Sequence, residues 1–171
     1  MRPWFEKPAF RRRRPYGLMP KVVVLSVGRV KDKRIASLSR EYLERIQPSG
    51  VVSAEHIPDR AGSPEDRRER EGQEMLKVLR PRDRLLLLRE DGEERDSVGF
   101  ADLLSQEMES AAGRVVLAIG GPWGISSAVK NRADKGVALS RMTFPHEMCF
   151  LFLAEQLYRA FSILRSSGYH H

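Results

Sequence analysis

Three short apolar runs constrain this chain more than any other feature. Val22-Val23-Val24-Leu25, Leu85-Leu86-Leu87-Leu88 and Val115-Val116-Leu117-Ala118-Ile119 are continuous, with no polar residue at alternate positions. Each is too short to stand as a helix. None approaches the roughly 20 residues that a membrane span needs, and the longest apolar run, Met148 to Ala154, does not either. A strand that is apolar at every position must be covered on both faces, which is the situation of central strands in a parallel sheet.

Helical patterns fill the intervals. Ile35, Leu38, Tyr42, Leu43 and Ile46 recur mostly at steps of three and four, and Pro48 and Gly50 end the pattern. Residues 51–57 read as a short second strand. Ser63-Pro64-Glu65-Asp66 is a helix start, with an N-cap serine, proline at the first helical position and acids in the first turn. That helix buries Met75, Leu76 and Leu79, and its charged side, Arg67, Arg68, Glu69, Arg70 and Glu71, reads as a solvated face. Residues 85–88 form the third strand. Ser97 opens a helix with Phe100, Leu103, Leu104 and Met108 on its apolar side. Residues 114–119 form the fourth strand. Ser126 or Ser127 caps a short helix that stops at Gly136. Residues 137–144 read as the fifth strand, and residues 147–165 as a last helix buried through Leu153, Leu157, Phe161 and Leu164. The alternation predicts one α/β domain over residues 19–171, a mostly parallel sheet with helices on both faces.

Charge divides the chain unevenly. The formal net charge is +7, but residues 1–18 carry six basic groups against one acid, so residues 19–171 are left with a net of +2. A nearly neutral core gives no broad electrostatic footprint for nucleic acid, so any basic contact must be local. The Arg11–Arg14 run with Pro3, Pro8 and Pro15 is expected to be a disordered extension. It has no apolar core of the secretory type, and the folded part is expected to begin near Met19. The single cysteine, Cys149, excludes an intrachain disulfide and reads as a small core residue, which fits a cytoplasmic setting with no membrane anchor.

In an open parallel sheet, ligands sit beyond the carboxyl ends of the strands. Three such ends carry suggestive residues: Leu88-Arg89-Glu90-Asp91-Gly92, Gly120-Gly121-Pro122-Trp123-Gly124, and Arg141-Met142-Thr143-Phe144-Pro145-His146. The glycine turn lacks both the dinucleotide spacing and the Gly-Lys-Ser/Thr of a phosphate loop. With Leu88, Met142 and Phe144 it makes an apolar slot that suits an adenine ring better than a polyphosphate. The four histidines and one cysteine form no metal pattern, and no nucleophile elbow is present. Acid–base candidates are His146, Glu147, Glu155, Arg159, Tyr169 and His170. Glu155 and Arg159, four apart, read equally as a surface ion pair, and His146 as a cap on the last helix.

The segments IGGPWG, SRMTFPH, AEQLYRAFSI and the terminal GYHH, with KVVVLSVG, SREYLERI and EGQEMLKVL before them, resemble the SPOUT-class large-subunit ribosomal RNA methyltransferase H family, whose members methylate pseudouridine at N3. The resemblance runs from about Met19 to the end. It implies S-adenosylmethionine as cofactor, a C-terminal trefoil knot that patterning alone argues against, and a homodimer with its sites at the subunit interface. By motif position it implies that Leu88, Gly120, Gly121, Arg141, Met142, Thr143, Phe144, Pro145 and His146 bind the cofactor. It further implies that Tyr169 and His170 reach the substrate side of the other subunit's site and that Arg159 faces substrate or RNA phosphate. On that basis Arg159 is expected to act electrostatically, Tyr169 by stacking on or positioning the base, and His170 in proton handling or substrate hydrogen bonding. The expected substrate is ribosomal RNA within the ribosome, and no metal is expected. Two departures stand out. Trp123 occupies a position where the family commonly has Glu, and His171 ends the tail where others often carry a basic residue. Competing readings are a SPOUT methyltransferase acting on transfer RNA, a nucleotide-binding oxidoreductase, and a non-catalytic ribosome-associated protein.

Overall fold

A computed structural model describes residues 21–46 and 51–166. Five strands, β1 (Val22–Val27), β2 (Val52–Ile57), β3 (Arg84–Glu94), β4 (Val115–Ile119) and β5 (Lys135–Ala138), alternate with five helices, α1 (Lys33–Ile46), α2 (Pro64–Val78), α3 (Ser97–Ser110), α4 (Ser127–Arg132) and α5 (His146–Ser166). The strands form one sheet in the order β2-β1-β4-β3-β5, and every pairing is parallel.

The continuous apolar runs resolve into two faces by the two-residue period of a strand. Val22, Val24, Leu86, Leu88, Val115, Leu117 and Ile119 join one core with residues of α1, α3 and α5, among them Ile46, Leu104, Leu153 and Phe161. Val23, Leu25, Leu85, Leu87, Val116 and Ala118 join a second core with Met75 of α2 and Val129 of α4. Helices therefore cover both sides of the sheet, and among the described residues no helix is long and apolar enough to cross a membrane.

Caps follow the local sequence. Ser63 Oγ accepts the N–H of Asp66, and Ser126 Oγ accepts that of Val129. For α3 the cap is Asp96, which accepts the N–H of Gly99 at 2.7 Å; Ser97 is the first helical residue and instead donates its hydroxyl to Gln156 Oε1.

Around β5 the structure departs from the sequence expectation. Helix α4 ends at Arg132, not at Gly136, because Asp134 takes over the backbone of the neighbouring strand: its carboxylate accepts the Leu85 N–H at 2.7 Å and its own N–H donates to the Leu85 carbonyl. Gly136 lies inside β5, where its missing side chain leaves room for Arg89. The strand stops at Ala138, so residues 139–145 leave the sheet and cross its carboxyl edge. Strand β3 in turn continues beyond Leu88 to Glu94. Its pairing with β5 breaks and resumes, so that both Leu88 and Glu93 register with Val137. Gly92 makes that close approach possible, since a Cβ there would stand 2.6 Å from the Val137 carbonyl carbon.

The amino-terminal edge of the sheet is tied by a buried ion pair. Asp83, whose side chain is 0% exposed, accepts two bonds from the Arg114 guanidinium, through Nη2 at 2.7 Å and Nε at 3.1 Å, and backbone N–H bonds from Arg80 and Arg114. Arg114 also donates to the Val78 carbonyl and to Glu55, so one guanidinium joins α2, β2 and the starts of β3 and β4. Burial alone would raise the Asp83 pKa, but the Arg114 guanidinium and the two N–H donors outweigh it and bring it below 3.8. Asp83→Ala strands a buried guanidinium and is expected to cost about 3 kcal/mol, or on the order of 10 °C in Tm. Because the folded pKa is depressed, this contribution is present above pH 3.8 and is lost as pH falls below it. Chemical denaturation of the two proteins across that range should show the gap between them closing on acidification.

Candidate active site

Parallel pairing brings the carboxyl ends of β3, β4 and β5 to one edge, and a cleft of about 830 Å³ opens there, within the size range of small-ligand sites. Its floor is the turn after β4. Gly124 donates its N–H to the Gly121 carbonyl at 3.0 Å and has φ +86, a conformation that favours glycine. Trp123 is 47% exposed and stands outside the cleft, whereas Pro122 contributes to its lining. Side chains at Gly120 and Gly121 would collide with neighbours: a Cβ would stand 2.4 Å from Ile125 Cγ1 in the first case and 2.6 Å from Glu71 Oε2 in the second. At Gly120 and Gly121 the floor is therefore backbone.

The walls come from the other two strand ends. Leu88, Leu139, Met142, Thr143, Phe144, Pro145 and His146 line the cleft with Gly120 and Gly121. Phe144 is held edge-on against Phe152 of α5 at 5.2 Å between centroids, which anchors the crossing segment to the last helix. His146 is the first residue of α5 and belongs to the cleft lining. Arg141 is placed differently: it points away, donating to Glu94 Oε2 at 3.2 Å and to the Glu90 carbonyl at 3.3 Å, and so braces the crossing segment against the extension of β3.

Further groups complete the lining. Arg89, Glu90 and Asp91 face the cleft from the extension of β3, and Lys130 from α4. Arg89 pairs with Asp91, and that hydrogen bond holds the Asp91 carboxyl well below its usual range. Cys149 is half-buried at the cleft wall and packs at the margin of the core. Its thiol lies 3.8 Å from the Phe144 carbonyl, and burial pushes its pKa up, so it stays neutral.

The charged face of α2 also departs from expectation. Glu71 is 2% exposed and lies directly beneath Gly121. The signal for this was the next residue. Gly72 sits inside a helix, where glycine is unfavourable unless another backbone or side chain comes close, and a Cβ there would lie 2.1 Å from Ser126 Oγ. Arg67 is likewise partly buried, pairs with Asp59, and holds its guanidinium 5.8 Å from the Trp123 ring centroid.

Arg159 does not line the cleft of its own chain. It lies on α5, 53% exposed at the side chain, and its Nε donates to Glu155 Oε1 at 3.0 Å. Tyr169 and His170 lie outside the described residues. Among the described residues no group of three or more His, Cys, Asp or Glu side chains is placed to hold a metal ion.

A family model described as "Predicted SPOUT methyltransferase" matches residues 20–170. Proteins named ribosomal RNA large subunit methyltransferase H are similar throughout: that of Porphyromonas gingivalis is 42% identical over 155 residues, covering 88% of this chain and 99% of the relative. Those of Flavobacterium johnsoniae and Trichlorobacter lovleyi are 38% and 39% identical, each over 88% of this chain and 98% and 99% of their own. Among solved structures, the SpoU methyltransferase AviRb from Streptomyces viridochromogenes, in complex with AdoMet, aligns with a TM-score of 0.45 at 14% identity, over 85% of this chain and 59% of that one. With the family model matching nearly the whole chain and relatives this similar along it, the protein belongs to the SPOUT methyltransferase family.

Proposed function

We propose that this protein transfers a methyl group from S-adenosylmethionine to N3 of a pseudouridine in large-subunit ribosomal RNA, on the assembled ribosome. The observation that carries the reading is the coincidence of the cleft with the family's two C-terminal motifs. The bare glycine floor and the crossing segment 139–145 enclose one space at the carboxyl edge of the sheet. Proteins similar to this chain along most of its length are named as methyltransferases of large-subunit ribosomal RNA. The trefoil knot is a trait that membership of the family implies for the C-terminal part of the chain.

The residues present fit the cofactor. A flat adenine needs a surface without side chains, which Gly120 and Gly121 supply, and apolar cover, which Leu88, Ile119 and Phe144 supply. The Glu90 carboxylate places negative charge at a cleft that would receive a sulfonium, while Lys130 offers a partner for a carboxylate. Leu88, Gly120, Gly121 and the segment from Met142 to His146 would hold it, with Arg141 bracing that segment from outside. When bound, S-adenosylmethionine supplies an electrophilic methyl group on sulfur.

The chain must then do three things. It must hold the uracil-type ring with N3 in line with the methyl group and its sulfur, which is catalysis by proximity. It must remove the N3 proton as the N–C bond forms and the S–C bond breaks, with the bonding pair left on sulfur. And it must stabilise the anionic ring meanwhile. We assign the anion to Arg159, base positioning to Tyr169 and the proton to His170. Since Arg159 does not line the cleft of its own chain, this assignment requires a homodimer in which a second copy brings its C-terminal elements to the cleft. The near-neutral core supports recognition of a composite ribosome surface over naked RNA.

Incubating ribosomes that lack the modification with this protein and methyl-labelled S-adenosylmethionine should place the label in one 3-methylpseudouridine of large-subunit RNA. Label appearing only in transfer RNA would transfer the reading to that substrate, and absence of label would overturn it. Deleting residues 168–171 should leave S-adenosylmethionine affinity within about twofold while lowering turnover by at least about 100-fold, the scale of a lost acid–base group. Arg159→Ala should lower kcat by roughly 100-fold with little change in cofactor affinity, as measured by calorimetry beside single-turnover kinetics.

A further inference from the structure

Helix α2 approaches the glycine turn and the segment after it at three places. The Arg67 guanidinium lies over the Trp123 ring. Glu71 occupies the space that Gly121 leaves open, with Val27 beside it. Gly72 lies against Ser126, whose hydroxyl caps α4. Positions 67 and 71, one turn apart, share a helix face, and Gly72 follows Glu71 round the helix, so α2 supports the start, the tip and the exit of the turn that floors the cleft.

Glu71 is chemically odd for such a place. A residue that only filled space there would be apolar, because a buried carboxyl is costly unless its oxygens are satisfied. One oxygen, Oε1, accepts a long bond from the Arg60 N–H at 3.4 Å and lies 3.8 Å from Arg67 Nε. The other, Oε2, is buried with no hydrogen-bond partner and faces Gly121. The charged groups around it are Asp59 and Arg60, from the loop after β2, and Arg67 on its own helix; the glycine turn presents backbone and Trp123 only. Burial pushes the Glu71 pKa above its ordinary 4.5, against the pull of the Arg60 N–H and Arg67 and with Asp59 adding to the rise.

We infer that Glu71 is a positioning residue of the cofactor cleft: its buried carboxyl sets the height of the Gly120–Gly121 floor by direct contact and keeps Arg67 against Trp123. A negative charge on the unpartnered oxygen under Gly121 would displace the floor, so the protonation of Glu71 is coupled to the turn. Cofactor affinity therefore depends on a group that never touches the cofactor. The identity of that ligand rests on the function proposed above, whereas the contact with the turn does not.

Two measurements on the full-length protein separate these. With Trp4→Phe as background, Trp123 is the single tryptophan and its emission reports the turn without ligand. Glu71→Ala should shift that emission and weaken S-adenosylmethionine binding by about tenfold, raising KM more than it lowers kcat. Glu71→Gln, the uncharged mimic, should keep both the emission and the affinity close to those of the parent. As pH rises through the elevated Glu71 pKa, the parent should lose affinity and shift its emission relative to Glu71→Gln. Glu71→Ala with unchanged emission and affinity would overturn the inference, as would identical pH profiles for the parent and Glu71→Gln, a comparison that stands even if Glu71→Ala fails to fold. A parent protein that does not bind S-adenosylmethionine at all would sink the proposed function, and the emission of the ligand-free variants would still decide the role of Glu71.

Discussion

Parallel pairing of β4 with β1 on one side and β3 on the other is the constraint from which the site follows. Strands that run the same way end on the same edge, and each must be followed by a segment that turns back over a face of the sheet. The turn after β4, the extension of β3 and the segment after β5 are consequently forced together. The two apolar faces of the central strands hold this arrangement, with α1, α3 and α5 on one side and α2 and α4 on the other. At the opposite edge the Asp83–Arg114 pair ties the strand starts to α2.

The cleft is shaped as much by what is missing as by what is present. Gly92 lets β3 return to β5 around Val137, Gly120 and Gly121 expose bare backbone, and Gly72 lets α2 approach the start of α4. Each close approach transmits position from one element to the next, so helix α2, remote in sequence from the turn, supports its floor. On that helix Glu71 lies beneath Gly121 and Arg67 holds its guanidinium 5.8 Å from the Trp123 ring centroid.

Most of the architecture was legible because strand runs and helix periods are local signals. The five strands and five helices were all expected, and the Ser63 cap stands where its sequence placed it. The errors gathered at β5. Gly136 reads locally as a helix stop, yet it serves a strand, because Asp134 captures the backbone of Leu85, a residue far away in sequence. Likewise the apolar segment 139–144 reads as strand, although it spends its apolar side chains on the cleft wall. Glu71 was misread for the same reason: its neighbours in sequence are charged and exposed, and its neighbour in space is a glycine fifty residues on.

The sequence by itself determined the fold class, the two motifs of the cleft and the family, because hydrophobic periodicity, glycine turns and motif order are written in consecutive residues. Only the tertiary structure decided that Arg141 braces the cleft from outside, that Arg159 does not line the cleft of its own chain, and that a buried carboxyl carries the glycine floor. These depend on distances between residues that the chain brings together only by folding. Burial and contact belong to the packed sheet, and no stretch of sequence holds them alone.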